Sequence, residues 1–160
     1  MAKNAAFRRS WLELTVRFLG LLEGTRIARA SNAPHLALGI AGEEEAFFYL
    51  KRRGYEVVAR RWTSHGVRGD LDLIAWKGPL LCFVEVKTRS KHDIAAAEVA
   101  VDDTKRRVMR KLARRYVRQL PRAGLPPCRF DVMSVYLTGT QPPEIFHFEG
   151  SFGWRDDEYE

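Results

Sequence analysis

The sequence contains little cysteine: Cys82 and Cys128 are its two thiols in 160 residues. With no CxxC pair and no third thiol, a zinc site is not expected. Both cysteines lie in apolar, strand-like segments, which predicts buried thiols of a reducing compartment and hence a cytoplasmic protein. Acidic residues are also fewer than basic ones. The 27 Lys and Arg against 20 Asp and Glu give a formal net charge of +7. This excess favours an anionic partner such as nucleic acid or acidic lipid.

Long uninterrupted apolar runs are missing from the first 30 residues, although residues 4–29 have an amphipathic pattern. Charges recur every few residues, so we expect no transmembrane segment, and a secretory signal would need a continuous apolar stretch. Glu13 and Glu23 argue against an organelle transit peptide. The pattern predicts a helix that docks on its own domain or on a partner, including a second copy, and membrane-surface binding is the alternative. Its apolar stripe consists of Phe7, Trp11, Leu14, Phe18, Leu21 and Leu22.

The rest of the chain predicts one α/β domain with element order α-β-β-β-α-β. Residues 39–53 have a helical pattern that ends at Gly54, and strands are expected at 55–62, 70–76 and 80–87. A loop is expected at 63–69, and a short turn at 77–79 makes the last two of these strands a hairpin. Asp102 or Asp103 caps a second helix that runs to about Leu120, and strands follow at 130–137 and 145–148. We therefore divide the chain into a helix and linker (1–37), a main domain (38–152) and an acidic tail (153–160).

Four charged residues occupy positions that hydrophobic periodicity assigns to the interior. Glu85 and Lys87 share one face of an apolar strand, Asp72 interrupts another strand, and Glu43 falls on the apolar side of its helix. Burying a charge is costly unless it is paired or binds a metal. We expect Asp72 and Glu85 to come within reach of one Mg²⁺ or Mn²⁺, with Lys87 stabilising charge on a phosphate. The alternative is a purely structural role, in which Glu85 pairs with Lys87 at a sheet edge and Asp72 pairs with an arginine.

The second helix is strongly basic, with nine Lys or Arg and no acid between Thr104 and Arg122. Helical projection puts Met109 and Tyr116 on the apolar side, and Lys105 in the first turn faces the sheet. The run predicts a surface that contacts phosphates, and a solvated helix face is the alternative. Asp131 is expected to be a strand carboxylate paired with Arg129 or a helix arginine. The candidate nucleic-acid-binding residues are Arg89, Lys105, Arg106, Arg107, Arg110 and Arg114.

Short motifs occur along the main domain. They are Gly42-Glu43 with Ala46 and Leu50, Gly54-Tyr55, Arg60 and Trp62, Gly69-Asp70-Leu71-Asp72-Leu73-Ile74, Phe83-Val84-Glu85-Val86-Lys87 with Arg89, Ala100-Val101, Lys105-Arg106 and Arg129-Phe130-Asp131-Val132. Taken together, these motifs resemble the PD-(D/E)xK nuclease superfamily, which includes many restriction enzymes and archaeal Holliday-junction resolvases. More narrowly, residues 38–152 resemble the YraN family of small bacterial predicted endonucleases. The resemblance implies a restriction-endonuclease-like core, a mixed sheet flanked by helices, to which this chain adds the N-terminal amphipathic helix.

The resemblance also implies roles for individual residues. Asp72, Glu85 and the Val86 carbonyl would bind the metal, Lys87 would be the catalytic lysine, and Glu43 an accessory acid. The chain departs from the family pattern at three positions, and its N-terminal segment has no counterpart there. Leu71 stands where the superfamily has proline, Asp70 where the family generally has glutamate, and Arg61 where asparagine is common.

The resemblance leads us to expect a Mg²⁺- or Mn²⁺-dependent endonuclease that hydrolyses DNA phosphodiester bonds. Branched or recombining DNA is the substrate suggested by analogy with the resolvases, and RNA stays open. Two alternatives from other classes remain. One is a nucleic-acid-binding protein that keeps the fold without cleavage. The other is an adaptor that its N-terminal helix recruits to a partner or a membrane.

Overall fold

The computed structural model describes residues 34–90, 101–121, 125–138 and 142–155. The predicted N-terminal amphipathic helix lies outside these residues, as does the acidic tail from residue 156 onward. Within the described part, no helix is long and apolar enough to span a membrane. The helices and strands are α1 (Pro34–Arg52), β1 (Glu56–Ser64), β2 (Val67–Lys77), β3 (Leu80–Arg89), α2 (Asp103–Gln119), β4 (Cys128–Tyr136) and β5 (Glu144–Phe152).

The strands form one mixed sheet in the order β1-β2-β3-β4-β5. Neighbouring strands are antiparallel except β3 and β4, which are parallel. A parallel pair needs a long crossover, and α2 lies in the chain between these two strands. The expected α/β class and the order α-β-β-β-α-β are therefore confirmed, with β5 as an additional edge strand.

Each face of the sheet carries its own hydrophobic core. Met109, Leu112 and Tyr116 of α2 pack with Phe83 and Phe130 on one face, as their helical spacing predicts. The α1 residues Ala46 and Leu50 pack on the other face, with Leu73, Val84 and Met133. Cys82 is buried, Cys128 is half-buried and both are free thiols. We refer to these two sides as the α2 face and the α1 face.

Three boundaries differ from the sequence prediction. Helix α1 begins at Pro34, inside the expected linker, because proline fits the first turn of a helix. The expected loop at 63–69 is instead a tight hairpin, in which Ser64 pairs with Val67 and Gly66 has φ 71°. Strand β5 continues to Phe152, whose ring stacks on Phe130 with the centroids 4.8 Å apart.

Strand β2 changes face at Asp72, which the sequence did not predict. Residues two apart share a face in a regular strand, yet Leu71 lies in the α2-face core and Leu73 in the α1-face core. On β1, Arg61 lies between the partners of these two residues and has φ 47°. The pairing of β2 with β3 runs from Lys77 to Leu73 and does not include Asp72. The strands therefore separate where the charged residues lie.

Candidate functional site

Asp72 and Glu85 are buried carboxylates at the point where β2 leaves β3, with 8% and 3% of their surfaces exposed. Oδ2 of Asp72 accepts a hydrogen bond from the Val86 backbone N–H at 2.7 Å. Burial, followed by the negative charge of Glu85, raises the pKa of Asp72 to about 8. Ionised Asp72 is therefore unfavourable here unless a cation is near.

Two lysines flank the Glu85 carboxylate. Nζ of Lys87, on the same strand, donates to Oε1 at 2.9 Å. Nζ of Lys105, from the first turn of α2, lies 2.8 Å from Oε2. At this distance the two groups form an ion pair. The charge of Glu85 is thus neutralised by both lysines, one at each carboxylate oxygen.

Lys105 reaches the sheet because the start of α2 is fixed by its cap. Asp102 Oδ1 accepts the Lys105 backbone N–H at 2.8 Å, as expected for an N-cap aspartate. The side chain also donates to the Asp70 carbonyl at 3.4 Å. Burial alone would lower the pKa of Lys105, but the nearby Glu85 and Asp72 carboxylates raise it above its ordinary value. Lys105 is therefore a permanent positive charge of the site.

Glu43 is brought to the edge of the site by close packing of α1 on β3. Gly42 lies against Thr88 so closely that a Cβ atom there would overlap the threonine side chain. The adjacent Glu43 accepts two hydrogen bonds from Arg61, at 2.6 Å from Nε and 3.1 Å from Nη2. Its carboxylate charge contributes to the raised pKa of Asp72, after larger contributions from burial and Glu85. Glu43 thus borders the site, with its charge neutralised by an arginine that sequence reasoning did not include in it.

The donor chemistry of the site fits a divalent cation of the magnesium type. Asp72 and Glu85 supply hard carboxylate oxygens, the ligands that Mg²⁺ and Mn²⁺ prefer. The high proton affinity of Asp72 favours an added positive charge at this carboxylate. Among the described residues, however, no three Asp, Glu, His or Cys side chains converge as a complete metal-binding group. The protein therefore offers two carboxylates here rather than three.

Sequence reasoning located most of these residues. The structure brings Asp72, Glu85, Lys87 and Lys105 together, whereas Glu43 stands beside them in its pair with Arg61. Val86 takes part through its N–H, and its carbonyl as a metal ligand stays a prediction. Arg61 was missed as a site residue, although the unusual arginine before Trp62 was the available signal.

The basic residues of α2 divide into exposed and buried groups. Arg107 and Arg114 are exposed, while Arg106 is half-buried and lies 3.7 Å from Asp103. Arg110 was expected with the phosphate-binding arginines, but its side chain is buried. Its Nε donates to the Gly153 carbonyl at 2.8 Å, because the segment after β5 covers this part of α2. Arg89 is half-buried near the end of β3.

Asp131 belongs to a separate, structural network on the α1 face. It forms the predicted pair with Arg129, with contacts of 2.7 and 2.9 Å. His147 Nε2 and the Gly150 N–H each lie 2.9 Å from its oxygens. Burial alone would raise the pKa of Asp131, but these hydrogen bonds hold it below its ordinary value. The network ties β5 to β4 and leaves this carboxylate well satisfied.

Comparison with known proteins shows the family to which the chain belongs. The model of an uncharacterised protein family, UPF0102, matches residues 42–135, more than half of the chain and the part that carries the site. A UPF0102 protein of Koribacter versatilis is 44% identical over 144 residues, covering 90% of this chain and 96% of that protein. A UPF0102 protein of Solibacter usitatus is 42% identical, covering 71% and 84%, and one of Rhodococcus opacus is 38% identical, covering 75% and 99%. The chain therefore belongs to the UPF0102 family, which is the YraN family that its motifs resemble.

Proposed function

We propose that this protein is a Mg²⁺- or Mn²⁺-dependent endonuclease that hydrolyses DNA phosphodiester bonds. The observation that carries the proposal is the buried pair Asp72 and Glu85 with Lys87 hydrogen-bonded beside it. A purely structural cluster gains little from two buried carboxylates in which one has its pKa raised to about 8. Carboxylates with strongly shifted pKa values cluster at functional sites.

Each residue has a role in this proposal. Asp72 and Glu85 would hold the cation, which when bound would polarise the phosphate and acidify water. The hydrogen bond from Val86 N–H fixes the orientation of the Asp72 carboxylate. Lys87 is one-third exposed, so its ammonium can contact a phosphate oxygen while Glu85 keeps it in position. The half-buried Lys105 contributes a second positive charge to the same site.

The exposed basic side of α2 supports a nucleic-acid substrate. Arg107, Lys111, Arg114 and Arg118 are all exposed and recur at helical spacing along one side. Such a row can follow a sugar-phosphate backbone, giving affinity without sequence information. The choice of branched or recombining DNA within this class rests on the resemblance to resolvases.

A second candidate is a nucleic-acid-binding protein without cleavage activity. It is favoured by the two lysine contacts to Glu85, which already neutralise this carboxylate without any metal. The phosphate-binding surface would be the same in both proposals, and the difference lies in whether a cation completes the site.

Cleavage assays separate the two candidates. The full chain is incubated with branched, nicked, linear and single-stranded DNA, and with RNA, in Mg²⁺, Mn²⁺ or EDTA. Metal-dependent cleavage that Asp72→Asn and Lys87→Ala abolish, while exposed Lys51→Ala keeps it, would support the endonuclease. Cleavage that persists in the two site variants would contradict the site assignment. Binding without cleavage in every metal would favour the second candidate.

A further inference from the structure

Arg61 has an unusual backbone for a strand residue. Its φ of 47° is left-handed, and among the residues that the structure describes it is the one non-glycine residue with positive φ. Its neighbours consequently point to opposite faces, with Trp62 in the α2-face core and Arg60 5.0 Å from the Phe47 ring of α1. L-residues other than glycine, asparagine and aspartate adopt this conformation rarely, so strain here points to a function.

The unusual backbone places the Arg61 side chain against Glu43. Nε and Nη2 contact the two different oxygens of the carboxylate, a bidentate pair that fixes both groups. The hydrogen bonds to Glu43 raise the pKa of the Arg61 guanidinium, and Asp70 and Asp72 add to that increase. Arg61 is therefore within electrostatic reach of the buried Asp72 carboxylate as well as of its direct partner.

We propose that Arg61 is the internal counter-ion of Glu43 and keeps this third carboxylate from joining Asp72 and Glu85 around a divalent cation. This role rests on the metal site proposed above and determines how many carboxylates that site uses. With Arg61 in place both Glu43 oxygens are occupied, and two carboxylates remain for a cation. Without Arg61 the site gains a third negative charge, and divalent-cation affinity rises with the number of charged ligands.

The test is direct Mn²⁺ binding to the full chain, measured by calorimetry and by the EPR signal of free Mn²⁺. Arg61→Asn is the informative variant, because asparagine tolerates a left-handed backbone and keeps the strand geometry. We expect R61N to bind Mn²⁺ about tenfold more tightly than the parent protein, since Glu43 becomes available as a ligand. Adding Glu43→Gln should remove the gain, and E43Q alone should bind Mn²⁺ no more tightly than the parent protein.

A matched control separates ligand release from a simple loss of positive charge. Arg60 lies next to Arg61 on the same strand, is exposed and is held over Phe47 rather than Glu43. Arg60→Gln removes the same charge without freeing a carboxylate, and its Mn²⁺ affinity should stay within twofold of the parent protein. Arg61→Lys keeps the charge but loses the bidentate geometry, and should fall between the parent protein and R61N.

The outcomes distinguish this role from the metal site itself. If the parent protein binds Mn²⁺ and R61N binds it with the same affinity, the role of Arg61 is overturned and the metal site stands. An equal gain in R60Q and R61N would also overturn it, because net charge would then explain the effect. If neither protein binds Mn²⁺, both the metal site and the counter-ion role fail.

Discussion

Nζ of Lys105 lies 2.8 Å from Oε2 of Glu85, so the first turn of α2 reaches a buried carboxylate of β3. The positive charge of Lys105 also lowers the pKa of Asp72, against the larger upward effects of burial and Glu85. One helix residue thus places its positive charge close to both carboxylates.

Lys105→Gln is expected to lower the cleavage rate about 100-fold, the usual size for loss of one preorganised electrostatic group. Lys111→Gln is the matched control, because Lys111 is an exposed lysine of the same helix. It should weaken DNA binding and leave the rate at saturating DNA unchanged. If Lys105→Gln also kept the parent rate at saturating DNA, Lys105 would act only through binding.

Asp72→Asn is expected to stabilise the metal-free protein. Because the pKa of Asp72 is raised to about 8, the folded state favours the protonated form and loses stability as the pH rises from about 4 to 8. Asparagine removes this loss of stability, and its amide oxygen can still accept the hydrogen bond from the Val86 N–H. The unfolding midpoint in EDTA at pH 8.5 should rise by about 2–4 °C, and the gain should be small at pH 4. If the unfolding midpoint of the variant at pH 8.5 were at or below that of the parent protein, ionised Asp72 would not destabilise the folded state.

Two glycines of α1 should respond oppositely to alanine. Gly42→Ala puts a methyl group into Thr88 and should destabilise the protein by about 1–3 kcal/mol. At Gly39 a Cβ would meet nothing within 4 Å, so Gly39→Ala should stabilise the helix by about 0.5–1 kcal/mol. Urea unfolding measures both changes. A stable Gly42→Ala variant would show that α1 can move away from β3 at little cost.

Asp131 should control the stability of the protein in acid. Its pKa is held below the ordinary value, so its contribution is present above about pH 4 and is lost as the pH falls further. Asp131→Asn should destabilise the protein at pH 7 by about 3 kcal/mol, because Arg129 loses a buried charged partner. The variant should lose less stability than the parent protein between pH 5 and 3. Glu44→Gln, an exposed control, should match the parent protein in urea unfolding at both pH values.

Much of the site could be predicted from local periodicity. Alternation along β3 put Glu85 and Lys87 on one face, and helical projection put Glu43 and Lys105 towards the sheet. Each of these inferences concerns a single element, whose side-chain directions depend only on its own geometry. The combination of motifs then identified the fold and the family.

The features that sequence reasoning missed depend on contacts between distant segments. The change of face at Asp72 involves Arg61 on the neighbouring strand, so no single-strand pattern contains it. Arg110 looked like another exposed arginine of a basic helix, but the Gly153 segment covers it from far along the chain. Alternation and helical projection carry no information about burial by a segment that is distant in the sequence.

The end of the β2–β3 ladder has a consequence for how the site can be observed. Beyond Leu73 and Val84, the Val86 amide proton is held by the Asp72 carboxylate. Its chemical shift and its exchange with solvent therefore depend on the charge and orientation of one side chain. This single backbone resonance can therefore report, without any substrate, whether a proton or a cation has reached the Asp72 carboxylate.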